Sequence, residues 1–212
     1  MTTPMKIETQ FGVVSAEITG DGEDLFLLAP GAGSNYQSAG IMGLAKLLDR
    51  FGRVLRFNFP YRENGRSFPD PMSKLVPFFR EVADFAKSNE SPRRLFIGGH
   101  SMGGRAASML AAEHYAADGL ILFSYPLHPP AKPDQLRTAH LDQIQLPVLT
   151  FSGTEDEFCT LDVLAKFAGP NWKLVAIEGG DHSLKVKKAS GRSNKDVSAE
   201  LATNLENWLA SL

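Results

Sequence analysis

Short apolar segments alternate with longer amphipathic segments along almost the whole chain. Residues 6–9 and 13–18 come first, and Gly12 between them predicts a hairpin of two strands. Six continuous apolar runs then predict buried strands, at residues 24–30, 54–59, 94–99, 119–125, 147–152 and 172–177. Hydrophobic side chains at helical spacing predict helices at residues 36–51, 75–86, 102–115, 161–167 and 197–209.

This alternation predicts the fold class. Strands that alternate with helices form a mostly parallel sheet covered by helices on both faces. The predicted class is therefore α/β, with the N-terminal hairpin added to the sheet, and we expect a single domain over residues 1–212. Ligands of such sheets bind beyond the carboxyl ends of the strands, so candidate functional residues are expected there.

The third apolar run leads directly into a serine flanked by glycines. The segment GHSMG, residues 99–103, has the pattern G-x-S-x-G between a predicted strand and a predicted helix. So sharp a turn needs glycine at its flanks, and it holds the serine hydroxyl above the sheet edge, where the helix N-terminus stabilises negative charge. The pattern alone is weak, because it also occurs in ordinary glycine-rich turns. Its place after a buried strand predicts that Ser101 is a nucleophile.

A serine nucleophile needs a base to remove its proton, and the base needs a carboxylate to orient it. His182 follows the last predicted strand, which places it at the same sheet edge as Ser101, and we predict it to be the base. The preceding strand ends in GTEDE, residues 153–157. We predict Asp156 as the acid, because the spacing G-x-x-D recurs in folds with such an elbow. Glu155 and Glu157 are the alternatives.

The loop after the first apolar run consists of small residues that let the backbone approach a ligand closely. We predict that the backbone N–H groups of Ala32 and Met102 form an oxyanion hole, with Gly33 as the alternative to Ala32. Gly31 and Gly33 are also candidates for substrate contact.

Three further residues are candidates for substrate binding. Tyr61 and Arg62 follow the second apolar run, residues 54–59. The fork of an arginine suits a substrate carboxylate. Surface ion pairs or anchoring of the loop are the alternative for these two. His128 lies in a proline-rich loop after the fourth run, where we predict that it shapes the pocket wall rather than transfers a proton.

Composition narrows the set of functions. A net charge of -2 makes nucleic acid an unexpected partner. The single cysteine excludes an intrachain disulfide and fits a cytoplasmic location. We expect no membrane association, because no signal peptide is present and no apolar run approaches the roughly 20 residues that span a bilayer. No metal-ligand spacing or phosphate loop occurs in the sequence, so neither a metal nor a cofactor is predicted.

Five segments carry a resemblance to a known superfamily: APGAG (29–33), FNFPYRENGR (57–66), GGHSMGGRAA (98–107), YPLHPPAKPDQLRTAHL (125–141) and GGDHSL (179–184). The chain resembles the α/β-hydrolase superfamily and, within it, the dienelactone-hydrolase-related group that includes the KANL3/Tex30-like proteins. The resemblance implies a serine triad that works without a cofactor. Dienelactone hydrolases proper have cysteine at the position of Ser101, and many superfamily members have His-Gly at the position of Pro30-Gly31.

Together these features predict a serine hydrolase that cleaves carboxylic esters, or thioesters, of small soluble acids through an acyl-enzyme. An idle interaction module of the same fold and an acyltransferase are alternatives that the sequence leaves open. Residues 126–146 contain four prolines and have room for one short helix at most. We therefore expect no large cap and an open site.

Overall fold

The computed structural model describes residues 2–212, except for the side chain of Lys188, and its strands form one eight-stranded sheet. The strands are β1 (Thr3–Thr9), β2 (Gly12–Thr19), β3 (Leu25–Ala29), β4 (Arg53–Phe57), β5 (Leu95–His100), β6 (Gly119–Phe123), β7 (Val148–Gly153) and β8 (Trp172–Ile177). The helices are α1 (Ala39–Leu48), α2 (Pro60–Glu63), α3 (Met72–Glu90), α4 (Met102–Ala112), α5 (Leu161–Ala165) and α6 (Asn194–Leu209).

The strand order is β1-β2-β4-β3-β5-β6-β7-β8. The hairpin strands β1 and β2 are antiparallel to each other, and β2 is antiparallel to β4, whereas the pairings from β4 to β8 are all parallel. The predicted class, a mostly parallel sheet with an N-terminal hairpin, is confirmed. Strand order reverses beside β5, and the crevice at such a reversal is where ligands of doubly wound sheets bind.

Both faces of the sheet are covered. Successive side chains of a strand point to opposite faces, and β6 shows this directly. Leu120 and Leu122 belong to the core that contains α3 and α4, whereas Ile121 and Phe123 belong to the core that contains α1 and α6. Burial on both faces explains why the central strands are continuous apolar runs rather than alternating ones.

Several predicted elements have different boundaries in the structure, and two of these differences bear on the carboxyl edge of the sheet. The helix predicted at residues 36–51 begins only at Ala39, because residues 31–38 form two turns through backbone hydrogen bonds instead. The strand predicted at residues 54–59 ends at Phe57. Pro60 then begins the short helix α2, which was not predicted; proline is favoured at a first helical position because its φ is already helical and its missing N–H is not needed there.

The connection between β6 and β7 contains no helical cap. Within residues 124–147 the only helical segment is a single 3-10 turn, Leu141–Gln143. The expectation that the fold carries no large cap is confirmed, and the carboxyl edge of the sheet stays open above β5. Among the helices of residues 2–212, none is long and apolar enough to cross a membrane.

Candidate active site

Four loops meet at the carboxyl edge of the sheet. Ser101 follows β5, and the small-residue loop at residues 31–34 follows the neighbouring strand β3. Asp156 follows β7, and His182 follows β8. Because the strands that carry these loops are parallel, their carboxyl ends lie on one side, and residues far apart in sequence come within hydrogen-bonding distance.

The serine sits in a strained turn that only glycines can flank. Ser101 has φ 51 and ψ -118, a conformation that residues with a side chain rarely adopt. Its N–H donates to the carbonyl of Phe123 at 2.9 Å. A Cβ on Gly99 would lie 2.6 Å from the carbonyl oxygen of Ala29, and a Cβ on Gly103 would lie 2.4 Å from that same oxygen. The glycines of the G-x-S-x-G pattern are therefore required by close backbone packing.

Three side chains form a continuous chain of hydrogen bonds. His182 Nε2 lies 2.8 Å from Ser101 Oγ, and His182 Nδ1 lies 2.9 Å from each carboxylate oxygen of Asp156. The side chain of Asp156 is 0% exposed and that of His182 is 21% exposed, so the carboxylate is shielded while the imidazole reaches solvent. When Nδ1–H donates to the carboxylate, Nε2 is left to accept the serine proton, which is the arrangement that a general base needs.

The other acidic residues of these loops face elsewhere. Glu155 pairs with Lys187 at the surface, with 2.8 Å between the carboxylate and Nζ. The side chain of Glu157 is exposed to solvent. Asp181 accepts the backbone N–H groups of two residues in its own loop. Of the three acids considered from the sequence, Asp156 is the one in contact with His182.

Phe158 contacts both Asp156 and His182, and the sequence interpretation missed it. Its backbone N–H donates to Asp156 Oδ1 at 2.9 Å. Its ring stacks on the imidazole of His182, with 4.2 Å between the ring centroids and 30° between the ring planes. The only sequence signal is an aromatic residue two positions after the acid, so this role could not be read from the chain alone.

His100, inside the elbow, connects the elbow to the histidine loop. Its Nε2–H donates to the backbone carbonyl of His182 at 2.9 Å. A Cβ on Gly31 would lie 3.0 Å from His100 Nδ1, so glycine lets the two loops approach. Burial lowers the pKa of His100 below its ordinary value, which keeps the ring neutral at neutral pH. Nothing in the sequence indicates this contact between His100 and the backbone of His182.

The candidate oxyanion donors differ in how they are engaged. Residues 31–34 form a tight turn in which Gly33 has φ 69, a value that favours glycine. The N–H of Gly33 donates to the hydroxyl of Tyr61 at 3.2 Å. Of the hydrogen bonds described for residues 2–212, none uses the N–H of Ala32 or of Met102. These two N–H groups have no acceptor among the described residues, whereas that of the alternative donor, Gly33, is occupied.

The predicted substrate contacts need one correction. Tyr61 is fully buried, which contradicts the prediction that it contacts substrate; it supports the loop of Gly33 instead, and burial raises the pKa of its phenol. Arg62 donates from Nη1 to the carbonyl of Arg66 at 3.1 Å, so it anchors its own loop, which was the alternative interpretation. His128 is buried beside the site, and its backbone N–H donates to the carbonyl of Phe158 at 3.1 Å.

The single cysteine does not compete with the serine. Cys159 is buried, and burial raises the pKa of its thiol to about 11, so it stays protonated and poorly nucleophilic. In the part of the chain that the structure describes, no group of three or more His, Cys, Asp and Glu side chains is arranged to hold a metal ion.

Comparison with known proteins identifies the family to which the fold belongs. Residues 22–210 match the family model described as an alpha/beta hydrolase domain. The chain is similar to Est1E from Butyrivibrio proteoclasticus, with 18% identity, a TM-score of 0.76, and 98% of this chain and 99% of that chain covered. A serine hydrolase without a lid from Xanthomonas campestris has 18% identity and a TM-score of 0.75, covering 98% and 94%. A dienelactone hydrolase from Anabaena variabilis has 17% identity and a TM-score of 0.75, covering 100% and 97%. At these identities the likeness to the three structures concerns the fold.

Proposed function

Since this chain belongs to the alpha/beta hydrolase domain family, we propose that it is a serine hydrolase that cleaves carboxylic esters, or thioesters, of small acids. The observation that carries the proposal is the hydrogen-bond chain from Asp156 through His182 to Ser101, beside two free backbone N–H groups. The structure of Est1E with ferulic acid bound supports a small molecule as substrate.

The first half of the reaction forms an acyl-enzyme. Ser101 Oγ attacks the ester carbonyl carbon while His182 Nε2 takes the serine proton. The N–H groups of Ala32 and Met102 stabilise the oxyanion that develops on the carbonyl oxygen. The tetrahedral intermediate then expels the alcohol or thiol, which receives the proton from His182. The second half repeats these steps with water as nucleophile and releases the acid.

Asp156 and Phe158 act on the charge that His182 gains. The buried carboxylate of Asp156 holds the ring in the productive tautomer and stabilises the imidazolium. The face of the Phe158 ring lies against that imidazolium, an arrangement that favours a cation over a neutral ring. We therefore assign Phe158 as a positioning residue, distinct from the residues that exchange protons with substrate.

The open carboxyl edge supports a preference for short acyl groups. Each methylene contributes about 0.8 kcal/mol only when it is fully buried. Because residues 124–147 form no cap over the site, a long acyl chain stays in water and gains little of this energy. We expect poor turnover of emulsified long-chain lipids and no activation at a lipid interface. A specificity constant that climbs steeply with acyl length would contradict this preference.

Labelling with a fluorophosphonate probe tests the proposal directly. We expect mass spectrometry to locate the adduct on Ser101, and the Ser101→Ala variant to stay unlabelled. A panel of esters from acetate to palmitate, assayed on the same preparation, then gives the acyl preference. An unlabelled Ser101 together with no turnover of any ester would overturn the proposal.

Two alternatives make different predictions in the same assays. An idle interaction module would gain nothing from the backbone strain at Ser101, which costs about 1–3 kcal/mol at such positions. That strain therefore favours an enzyme. An acyltransferase would be labelled as a hydrolase is, but it would pass the acyl group to an added alcohol in preference to water. The ratio of ester to acid products measured against alcohol concentration distinguishes the two.

The proposal includes three further points. We propose a single domain, a cytoplasmic location and membership of the dienelactone-hydrolase-related group that contains the KANL3/Tex30-like proteins. The five shared segments support the group, and the lone reduced cysteine supports the location. Serine at the nucleophile position argues against dienelactone as the substrate.

A further inference from the structure

Arg105 and Arg137 are cationic side chains near the candidate active site that have no acidic partner. None of the ion pairs within residues 2–212 includes either of them. Arginines that lose part of their hydration are normally paired with an anion, because burying an uncompensated charge is unfavourable. Two such arginines close together need a physical explanation.

Arg105 differs from the other arginines that have a buried Nε without a partner. Arg53, Arg56 and Arg62 share that feature, but each of them donates from its terminal nitrogens to a carboxylate or a carbonyl. For Arg105 none of the described hydrogen bonds uses any guanidinium nitrogen. Its Nε is buried, and its terminal nitrogens have no acceptor among the described residues.

Arg105 lies beside the nucleophile. It is in the first turn of α4, and its backbone N–H donates to the carbonyl of Ser101 at 3.0 Å. Side chains of a helix lean toward its N-terminus, so the Arg105 side chain leans toward the turn that carries Ser101.

Arg137 reaches the same region from the connection between β6 and β7. Its backbone N–H donates to the carbonyl of Leu127 at 2.8 Å, and its Nη1 makes only a 3.4 Å contact with the carbonyl of Pro126. His128, which follows Leu127, donates its backbone N–H to the carbonyl of Phe158, and the ring of Phe158 stacks on the candidate base. The segment that carries Arg137 is thereby joined to the histidine side of the site.

No carboxylate among residues 2–212 lies within ion-pair distance of either guanidinium. The segment of Arg137 meets α4 where His140 contacts Ser108, one turn after Arg105, and both burial and the charge of Arg105 lower the pKa of Arg137. His140, whose Nε2 lies 2.8 Å from Ser108 Oγ, has a pKa lowered to about 4 by burial and by Arg105, and it is neutral at neutral pH. The charge of Asp142 acts on His140, where it partly opposes the lowering of the pKa.

We propose that Arg105 and Arg137 form a carboxylate subsite beside Ser101, which selects ester substrates that carry a negative charge close to the scissile bond. A carboxylate would relieve the repulsion between the two cations. The planar fork of each guanidinium matches the two oxygens of a carboxylate. The selectivity rests on the proposed hydrolase function, whereas anion binding by the two arginines does not require it.

Matched esters that differ only in charge test the selectivity. Monomethyl succinate and its neutral amide, methyl succinamate, place the charge on the acyl side, and acetoxyacetate and acetoxyacetamide place it on the alcohol side. We expect the anionic member of one pair to be preferred about tenfold or more, as charged hydrogen bonds would provide. Arg105→Gln and Arg137→Gln should each remove most of that preference through KM, and leave the amide ester within about twofold. Arg50→Gln, which removes one exposed positive charge two residues after the end of α1, is the matched control.

Three results would overturn the subsite: no charge preference in either pair, equal losses on both members of a pair, or the same loss in Arg50→Gln. Arg105→Lys adds a further check, because it keeps the charge but loses the fork and should restore only part of the preference.

Binding to an inactive variant separates the subsite from the proposed function. In Ser101→Ala, ligand-observed NMR should detect monomethyl succinate, or acetoxyacetate, and adding Arg105→Gln or Arg137→Gln should abolish that signal. Arginine-dependent binding in a chain whose Ser101 is never labelled would support the subsite and reject the hydrolase. Labelled Ser101 without arginine-dependent binding or charge preference would reject the subsite and leave the hydrolase standing.

Discussion

The two halves of the candidate site are held in place by different kinds of contact. The elbow that carries Ser101 is fixed by backbone against backbone, since Gly99 and Gly103 lie too close to the carbonyl of Ala29 to admit a side chain. The histidine half is fixed by side chains: His182 is held by a carboxylate on one edge and an aromatic ring on one face. The residues of the first half are adjacent in sequence but pack against β3, whereas the second half assembles from loops that follow β7 and β8.

This difference predicts different responses to substitution. Close contacts between backbone atoms cannot be weakened in steps. A single added methyl group in the elbow should therefore disturb both folding and activity. Side-chain contacts can be weakened one at a time, so changes on the histidine side should reduce activity in steps while the fold persists. His100 belongs to both halves, because it lies in the elbow and donates to the histidine loop.

The largest expected effect comes from removing the side chains that react. Without them neither half of the site supports turnover, whatever contacts hold it in place. Ser101→Ala and His182→Ala should each lower kcat by about 10⁴–10⁶-fold, and the double variant should be little worse, because the residues act as a unit. Asp156→Asn should lower kcat less, by about 10³–10⁴-fold. Ester turnover and far-ultraviolet circular dichroism measure activity and folding together. Full activity in Ser101→Ala would refute the mechanism, and a crippled Glu155→Gln with a silent Asp156→Asn would refute only the choice of acid.

A pair of glycine substitutions tests the backbone-packed half. Gly103→Ala should lower the free energy of unfolding by about 1–3 kcal/mol and slow fluorophosphonate labelling, because its Cβ meets backbone atoms that cannot move aside. Gly43→Ala is the control: it lies in α1, where a Cβ would meet nothing within 4 Å. That variant should be about 0.4–1 kcal/mol more stable, since alanine restricts the unfolded chain. Similar unfolding midpoints in urea for both variants would show that the elbow is not closely packed.

Substitution of the stacked ring tests the side-chain half. Phe158→Leu should lower kcat by about 5–10-fold with little change in KM or in thermal stability, because the imidazolium loses the face of the ring. Phe158→Tyr keeps an aromatic face and should retain most of the activity. A loss in KM instead of kcat, or a leucine variant as active as the parent, would assign Phe158 to the pocket wall and not to the positioning of His182.

The smallest expected effect concerns the pH dependence of the free energy of unfolding, through two buried histidines, His100 and His140. Burial lowers the pKa of His100 and, to about 4, that of His140, so the unfolded chain binds more protons than the folded chain below the ordinary histidine range. Their contribution to stability is complete above about pH 6.5 and is lost as the pH falls toward the folded pKa values. His140 should account for about 1 kcal/mol between pH 7.5 and pH 5.5, after allowance for solvent screening. Urea unfolding of His140→Gln should show a flatter pH dependence; an unchanged slope would contradict this assignment.

The sequence was sufficient for features that depend on neighbouring residues. Continuous apolar runs predicted the strands, and β8 has the predicted boundaries, Trp172–Ile177. The glycine pattern predicted the elbow, since the residues that form the turn are next to Ser101, although the backbone that requires glycine there belongs to Ala29. The placement of Asp156 against His182 agrees with a prediction made from spacing after a strand.

Features that depend on distant contacts could not be predicted. The stacking of Phe158 on His182 joins two loops, and nothing near either residue indicates it. Tyr61 follows a strand end just as a rim residue would, but α2 turns its ring into the core, where it contacts Gly33. Tyr61 does follow a strand end as expected, but tertiary packing sets the direction of its side chain, and no role was predicted for Phe158.

The short connection between β6 and β7 also makes this chain a convenient starting point for protein engineering. Residues 130–136 are exposed throughout, and the sheet and both cores are built from other segments. Exposed loops of this kind accept inserted domains with little loss of stability. A small helical domain inserted there would stand over the carboxyl edge and enclose the acyl chain of a bound ester. Chain-length selectivity would then be set by the insert, with the reacting side chains and their supports left unaltered.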